Sequence, residues 1–186
     1  LSKQLVAAHL LADAKVHAIV WSGTAASWLG FEQDEKLCAR IESETGIPAG
    51  SSVLAVNELF ARVKTKRFAL VTPYIDSVQE KIIANYASNG FECVAERHLG
   101  ESRNFNFSEF TEEQIADLIR DVATSRPDAI TIMCTNMRGA RVAAAMEKEL
   151  QIPIFDSTAA AVWAGLRLAS VPPSTIDGWG SMFSER

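Results

Sequence analysis

The chain of 186 residues is long enough for a real core, as one domain or two small lobes, and its 48% hydrophobic and 22% charged content is ordinary for a globular protein. A net charge of −5 without a basic stripe argues against nucleic acid as a partner, so an anionic ligand must be held by local donors. No apolar run approaches the ~20 residues of a membrane helix, no signal-peptide pattern is present, and three cysteines without metal-ligand spacing fit free thiols in a reducing cytosol. The expectation is a cytoplasmic protein that binds neither metal nor membrane. His9, His17 and His98 lie far apart in sequence and are assigned to no metal.

Residues 1–15 are helical in period, with Leu5, Ala8, Leu11 and Ala12 on one face. Residues 17–22 read as the first strand, and Gly23-Thr24-Ala25-Ala26-Ser27 as its loop. The following helix is amphipathic through Leu37, Cys38 and Ile41 and stops at Gly46, which fits a C′ residue. Cys38 therefore reads as core. Residues 47–51 form a short strand and 53–63 a helix, with Leu54, Leu59 and Phe60 apolar. The polar connection Lys64-Thr65-Lys66-Arg67 marks a lobe boundary. The division is a first lobe of residues 1–63, a second of 64–159, and a C-terminal stretch of 160–186 that packs back on the first.

Residues 68–72 open the second lobe as a buried strand with Pro73-Tyr74 as its exit loop, and 76–87 form a helix ending at Asn89-Gly90. A strand over 91–95 carries Cys93, and 96–106 read as a long polar loop. Thr111-Glu112-Glu113-Gln114 is a capping box, with Ile115, Leu118, Ile119 and Val122 as the apolar stripe behind it. The tail from Val171-Pro172-Pro173 onward is irregular, and Trp179 is expected to anchor it.

One stretch organises the rest. Ala129-Ile130-Thr131-Ile132 is a short apolar run bounded by Pro127-Asp128, which reads as a buried parallel strand. It passes through Met133-Cys134-Thr135-Asn136-Met137-Arg138-Gly139 into the helical run 140–150. Ligands of open α/β sheets bind at such carboxyl strand ends. The N–H groups of the next helix would favour an anion there and lower the pKa of Cys134. A lone strand cysteine is equally often an ordinary core residue. Asn136 reads equally as the cap of the next helix, and Arg138 as a solvated helix-face charge.

An internal echo favours the site. Ala18-Ile19-Val20-Trp21-Ser22-Gly23-Thr24 aligns with Ala129-Ile130-Thr131-Ile132-Met133-Cys134-Thr135 at a constant offset, and each copy leads through a helix to an Ile-Pro pair, Ile47-Pro48 and Ile152-Pro153. Two similar α/β lobes with parallel sheets are implied, their strand-end loops facing one cleft with Gly23 opposite Cys134. The second lobe has strands near residues 68, 91, 130 and 152, the first only near 17 and 47. If the repeat is complete, a strand-helix-strand segment upstream of Leu1 is missing from the first lobe.

The loops Ser22-Gly23-Thr24, Thr72-Pro73-Tyr74-Ile75-Asp76 and Cys134-Thr135-Asn136, with the tail Gly178-Trp179-Gly180, resemble the aspartate/glutamate racemase superfamily. The likeness covers nearly the whole chain and is strongest to the arylmalonate decarboxylase and maleate cis-trans isomerase branch. It implies two pseudo-symmetric, flavodoxin-like lobes with the active site between them, and chemistry without metal or organic cofactor. Racemases and maleate isomerases carry a cysteine in each lobe, at the positions matching Gly23 and Cys134. The decarboxylases carry glycine at the first, as here. By the same resemblance Thr24, Tyr74 and Asn104 hold the substrate anion across from Gly23; the backbone N–H groups of Ala25 and Thr135 are donors of the type an enediolate requires, and Asn136 is placed with them at the pocket. The decarboxylases' serine after the threonine is Ala25 here, a departure that weakens the case for arylmalonate itself.

The implied function is decarboxylation of a small substituted malonate-like acid through an enediolate, with Cys134 delivering the proton. Maleate isomerisation or amino-acid racemisation is the alternative within the superfamily. Outside it stand a cysteine hydrolase using His98 as base and a non-catalytic two-lobed clamp for small acids. The expected partner is a small carboxylic acid, and a homo-oligomer is compatible with the sequence.

Overall fold

The computed structural model of the chain describes residues 2–184. Eight α-helices are distributed among these residues: α1 (Lys3–Asp13), α2 (Ala26–Leu29), α3 (Glu32–Thr45), α4 (Ser52–Arg62), α5 (Asp76–Ser88), α6 (Glu112–Ala123), α7 (Gly139–Leu150) and α8 (Ser157–Leu168). The strands are β1 (Ile19–Trp21), β2 (Ala49–Ser51), β3 (Arg67–Thr72), β4 (Glu92–His98), β5 (Ala129–Ile132) and β6 (Ile154–Asp156). All pairings are parallel, in a two-stranded sheet β1-β2 and a four-stranded sheet ordered β4-β3-β5-β6. No helix among the described residues is long and apolar enough to cross a membrane.

The repeat is visible in the ladder. The Ile19 amide donates to the Pro48 carbonyl at 3.0 Å, and the Ile130 amide donates to the Pro153 carbonyl at 2.9 Å. Each Ile-Pro pair thus leads into its strand by docking on the entry of its neighbour. β3 and β5 read as continuous apolar runs because both faces are covered: Phe68, Ala69, Leu70 and Val71 are buried, as are Ala129, Ile130 and Ile132. Thr111 and Gln114 form both halves of the capping box on α6, whose buried stripe is Ile115, Ile119 and Val122, with Leu118 at its rim.

One core spans both sheets. Phe60 of α4 packs on Phe68 of β3 and Phe155 of β6 at ring-centroid distances of 5.5 and 6.0 Å. Phe31, at the start of α3, meets Tyr86 of α5 at 5.0 Å. The Asn85 side-chain amide of α5 donates to the carbonyls of Ala26 and Ser27 in α2. α8 leaves β6 and packs on α4, β2 and β1. Lys64 to Arg67 is an ordered turn, and the Asp128 carboxylate accepts the amides of Lys66 and Arg67 at 2.8 Å each. A smaller cluster of Leu5, Ala8, Ile19, Cys38, Ile41 and Ala49 seals α1 and α3 onto β1 and β2.

Several details differ from the sequence reading. The helix expected after the first loop is broken at Gly30 into α2 and α3. β4 runs on to His98, because its edge pairs with β3 out to Thr72. The remaining loop contains a 3-10 turn, Asn104–Ser108, that buries Phe107. Leu11 of α1 is 44% exposed, leaving Leu5 and Ala8 as the packed face. Trp179, 41% exposed, borders a surface groove with Ala140, Ala159 and Val162, while Met182 and Phe183 are buried at 3% exposed. The positive φ of Gly178 and Gly180 reverses the chain there and turns those two side chains inward.

Candidate active site

Cys134 follows β5 at the carboxyl end of the sheet and is buried, 2% exposed. The Tyr74 hydroxyl and the amides of Asn136 and Met137 lie about the sulfur and favour its thiolate, while the Met137 amide donates to the Cys134 carbonyl at 3.3 Å. The sequence reading expected such donors to lower its pKa. They do pull it down, but burial outweighs them and the Asp156 carboxyl adds to the rise, so the thiol lies above its ordinary value. At neutral pH Cys134 is a protonated thiol. Burial pushes both Cys38 and Cys93 further, up to about 12, aided by Asp34 at Cys38 and by Glu96 at Cys93. No cysteine is in a disulfide, and no acidic, His and Cys cluster suited to a metal occurs among the described residues.

Tyr74 joins the two repeats. It follows β3, and its hydroxyl lies 2.7 Å from Thr24 Oγ1, which is buried in the loop after β1. Either hydroxyl can be the donor in that pair, and the Tyr74 hydroxyl also lies beside the Cys134 sulfur, so both protons can turn to a ligand. Burial raises the phenol's pKa, keeping it a neutral donor. The ring is clamped edge-on by Trp28 of α2 at 5.3 Å and by Phe107 of the 3-10 turn at 5.4 Å. The Tyr74 amide donates to Thr72 Oγ1, Thr72 donates to Gln79 Oε1, and Gln79 Nε2 donates to Glu96 Oε2. Gln79 and Thr72 are both buried, so this relay fixes the backbone on which Tyr74 stands.

Asn104 opens the 3-10 turn, and Asn136 Nδ2 donates to its side-chain oxygen at 2.8 Å and its carbonyl at 3.2 Å. Both residues are exposed at the rim. Asn136 is therefore not the cap of α7, which starts at Gly139 with Arg138 in the N-cap position and no side-chain cap. Glu101 holds the approach to this turn, accepting the amides of Ser102 and Arg103 and the Asn106 side chain. Those bonds lower its pKa to about 2. The amides of Ala25 and Thr135 make no hydrogen bond among the described residues and remain available to a ligand. Gly23 has Trp21 folded over it: a Cβ there would meet the indole ring at 2.8 Å.

His98 does not serve Cys134. Its Nδ1 faces Glu96 at 2.8 Å and its Nε2 faces Asp76 at 2.7 Å. Burial lowers its pKa, but the two carboxylates outweigh this and favour the charged ring, which suits no general base. A cleft of about 390 Å³ lies at the far end of α7 between Glu147 and the tail, where Ser181 already occupies Glu147. It shares no residue with the cysteine cluster.

A family model described as arylmalonate decarboxylase matches residues 2–183. The chain belongs to the arylmalonate decarboxylase family. It is 26% identical over 151 residues to the arylmalonate decarboxylase of Bordetella bronchiseptica, covering 80% of this chain and 63% of that protein. To the maleate isomerase of Nocardia farcinica it is 26% identical over 169 residues, covering 87% and 67%. A crystal structure of arylmalonate decarboxylase superposes with a TM-score of 0.87 at 24% identity, over 98% of this chain and 81% of that one. A mutant of the Nocardia farcinica maleate cis-trans isomerase, holding a covalently bound succinylcysteine intermediate, superposes at 0.88 with 23% identity, over 100% and 78%. This arylmalonate decarboxylase family chain thus shares the fold of its relatives, an enzyme family of lyases and isomerases, and spans less than two thirds of the Bordetella protein.

In this arylmalonate decarboxylase family member, Cys134, Thr24 and Tyr74 come together, Asn104 meets Asn136, and Thr135 borders the same turn. Trp28, Phe107, Trp21 and Asp156 were not foreseen. Only Trp21 carried a signal, standing two residues before Gly23 at the end of β1.

Proposed function

We propose that this chain catalyses cofactor-independent decarboxylation of a small substituted malonate-like acid. The carbon–carbon bond to one carboxylate breaks and carbon dioxide leaves. The electron pair stays on the α-carbon and the second carboxylate as an enediolate. Cys134 then gives its thiol proton to that carbon, and the thiolate recovers a proton from water. Thr24, Tyr74 and the amides of Ala25 and Thr135 hold the charged oxygens, each worth about 3 to 4 kcal/mol by analogy with oxyanion-hole deletions. Asn104 and Asn136 form the rim over the carboxylate, and the Trp21-covered backbone at Gly23 forms the opposite wall.

The observation that carries this reading is the buried Cys134 thiol beside the Tyr74 hydroxyl, held above its ordinary pKa by burial, with glycine at the matching position of the other repeat. A thiol kept protonated is equipped to act as an acid rather than as a nucleophile. It speaks against the hydrolase, as does the engagement of His98 by two carboxylates. Maleate isomerisation is the second reading, supported by the equal 26% identity to a maleate isomerase. Following substituted malonates, maleate and amino acids by NMR in D₂O separates the two. The proposal expects α-deuterated monoacid from a malonate and no fumarate from maleate; fumarate without malonate turnover would overturn it.

A further inference from the structure

Asp156 ends β6 and is fully buried. Its Oδ1 caps α8, accepting the amides of Thr158 and Ala159 at 2.9 Å each. Its Oδ2 has no partner, an expensive state for a buried carboxyl. That oxygen lies under the turn carrying Cys134. Asp156 is in register with Ile132, two residues before the cysteine, and a Cβ on Gly139, just after the turn, would meet Oδ2 at 2.6 Å. Thr158 Oγ1 donates to the Thr135 carbonyl from the same side.

The repeat sharpens the point. Ile47-Pro48-Ala49-Gly50-Ser51-Ser52 aligns with Ile152-Pro153-Ile154-Phe155-Asp156-Ser157, and Ser51 caps α4 as Asp156 caps α8. Capping therefore needs only a serine here. The repeat with glycine in its loop has that serine, and the repeat with the thiol has the carboxyl.

We infer that Asp156 is a positioning residue for Cys134, a carboxyl kept beneath its turn to bias the sulfur toward the thiol that protonates the substrate. The inference rests on the proton-donor role proposed above. Around Cys134 stand Tyr74 from the β3 exit, Asp156 from β6 and the amides of Asn136 and Met137; no charged group faces Asp156 from α7 or α8 among the described residues. Burial lifts the Asp156 carboxyl to about 7, above the lowering by its two amide donors. It is therefore charged before the thiol ionises, and its charge opposes thiolate formation.

The test is the rate of iodoacetamide alkylation against pH, read by mass spectrometry at each cysteine. Asp156→Asn keeps a capping oxygen and removes the charge, and Asp156→Ser copies the other repeat. Both should speed Cys134 alkylation at pH 8 about three- to tenfold, with Cys38 and Cys93 unchanged. In the unaltered protein, Cys134 alkylation should climb less than tenfold per pH unit around pH 7. A uniform tenfold slope in the unaltered protein, or unchanged Cys134 rates in either folded variant, would overturn the inference. Alkylation needs no turnover, so the two readings fail separately: a shifted profile without decarboxylation sinks only the proposed reaction, and turnover with an unshifted profile sinks only the role of Asp156.

Discussion

Cys134→Ala is expected to lower turnover about 10²- to 10⁴-fold, the contribution of a positioned general acid. The same change should alter stability by no more than about 1 to 2 kcal/mol, because it removes one small buried group and leaves no charge behind. Tyr74 would lose the sulfur beside it but keep Thr24 as partner. Cys38→Ala and Cys93→Ala should leave turnover unchanged, since Cys38 lies in the α1/α3 cluster and Cys93 bonds only the Ala95 carbonyl at 3.4 Å. Steady-state kinetics and urea melts of the three variants check this. Full activity in Cys134→Ala would remove the thiol from the chemistry.

Tyr74→Phe is the second large effect, an expected loss of about 10² to 10³ in kcat. The phenyl ring would still fit between Trp28 and Phe107, so the variant should fold with its site walls intact. What disappears is the neutral O–H joining Thr24 to Cys134, and with it one donor to the developing enediolate. The loss should fall on kcat more than on KM, because the donor matters most as charge builds on oxygen. A kcat within threefold of the unaltered protein would show that the phenol only supports the wall.

Much of this was legible in the sequence because the repeat is local and periodic. The Gly23 and Cys134 loops, the capping box at Thr111 and the apolar runs of β3 and β5 are each set by residues close along the chain. The Thr24–Tyr74–Cys134 cluster was legible only through the family resemblance, since no spacing brings residues 24, 74 and 134 together. The direction of the Cys134 shift was misread: amide donors follow from a strand-helix turn, but the desolvation that outweighs them comes from remote packing. Asn136 stood open between cap and site because its partner Asn104 lies in a turn that composition presents only as polar loop. The division into residues 1–63 and 64–159, with 160–186 returning, remains our proposed partition, and the shared core through Phe60, Phe68 and Phe155 is what any cut would have to cross.

The central claim is that one acid, on one face, protonates the intermediate. The chirality of the α-deuterated product formed in D₂O tests it most directly, measured for the unaltered protein beside Gly23→Cys. A planar enediolate accepts a proton on either face, so the hand of the product records where the acid stands. With Cys134 alone, a single enantiomer is expected. In Gly23→Cys the new Cβ displaces the Trp21 indole, and a second thiol on the opposite wall should erode enantiomeric purity and let the product's α-position exchange. A racemic product from the unaltered protein, exchanging its α-proton rapidly, would show a second acid at work and contradict the account.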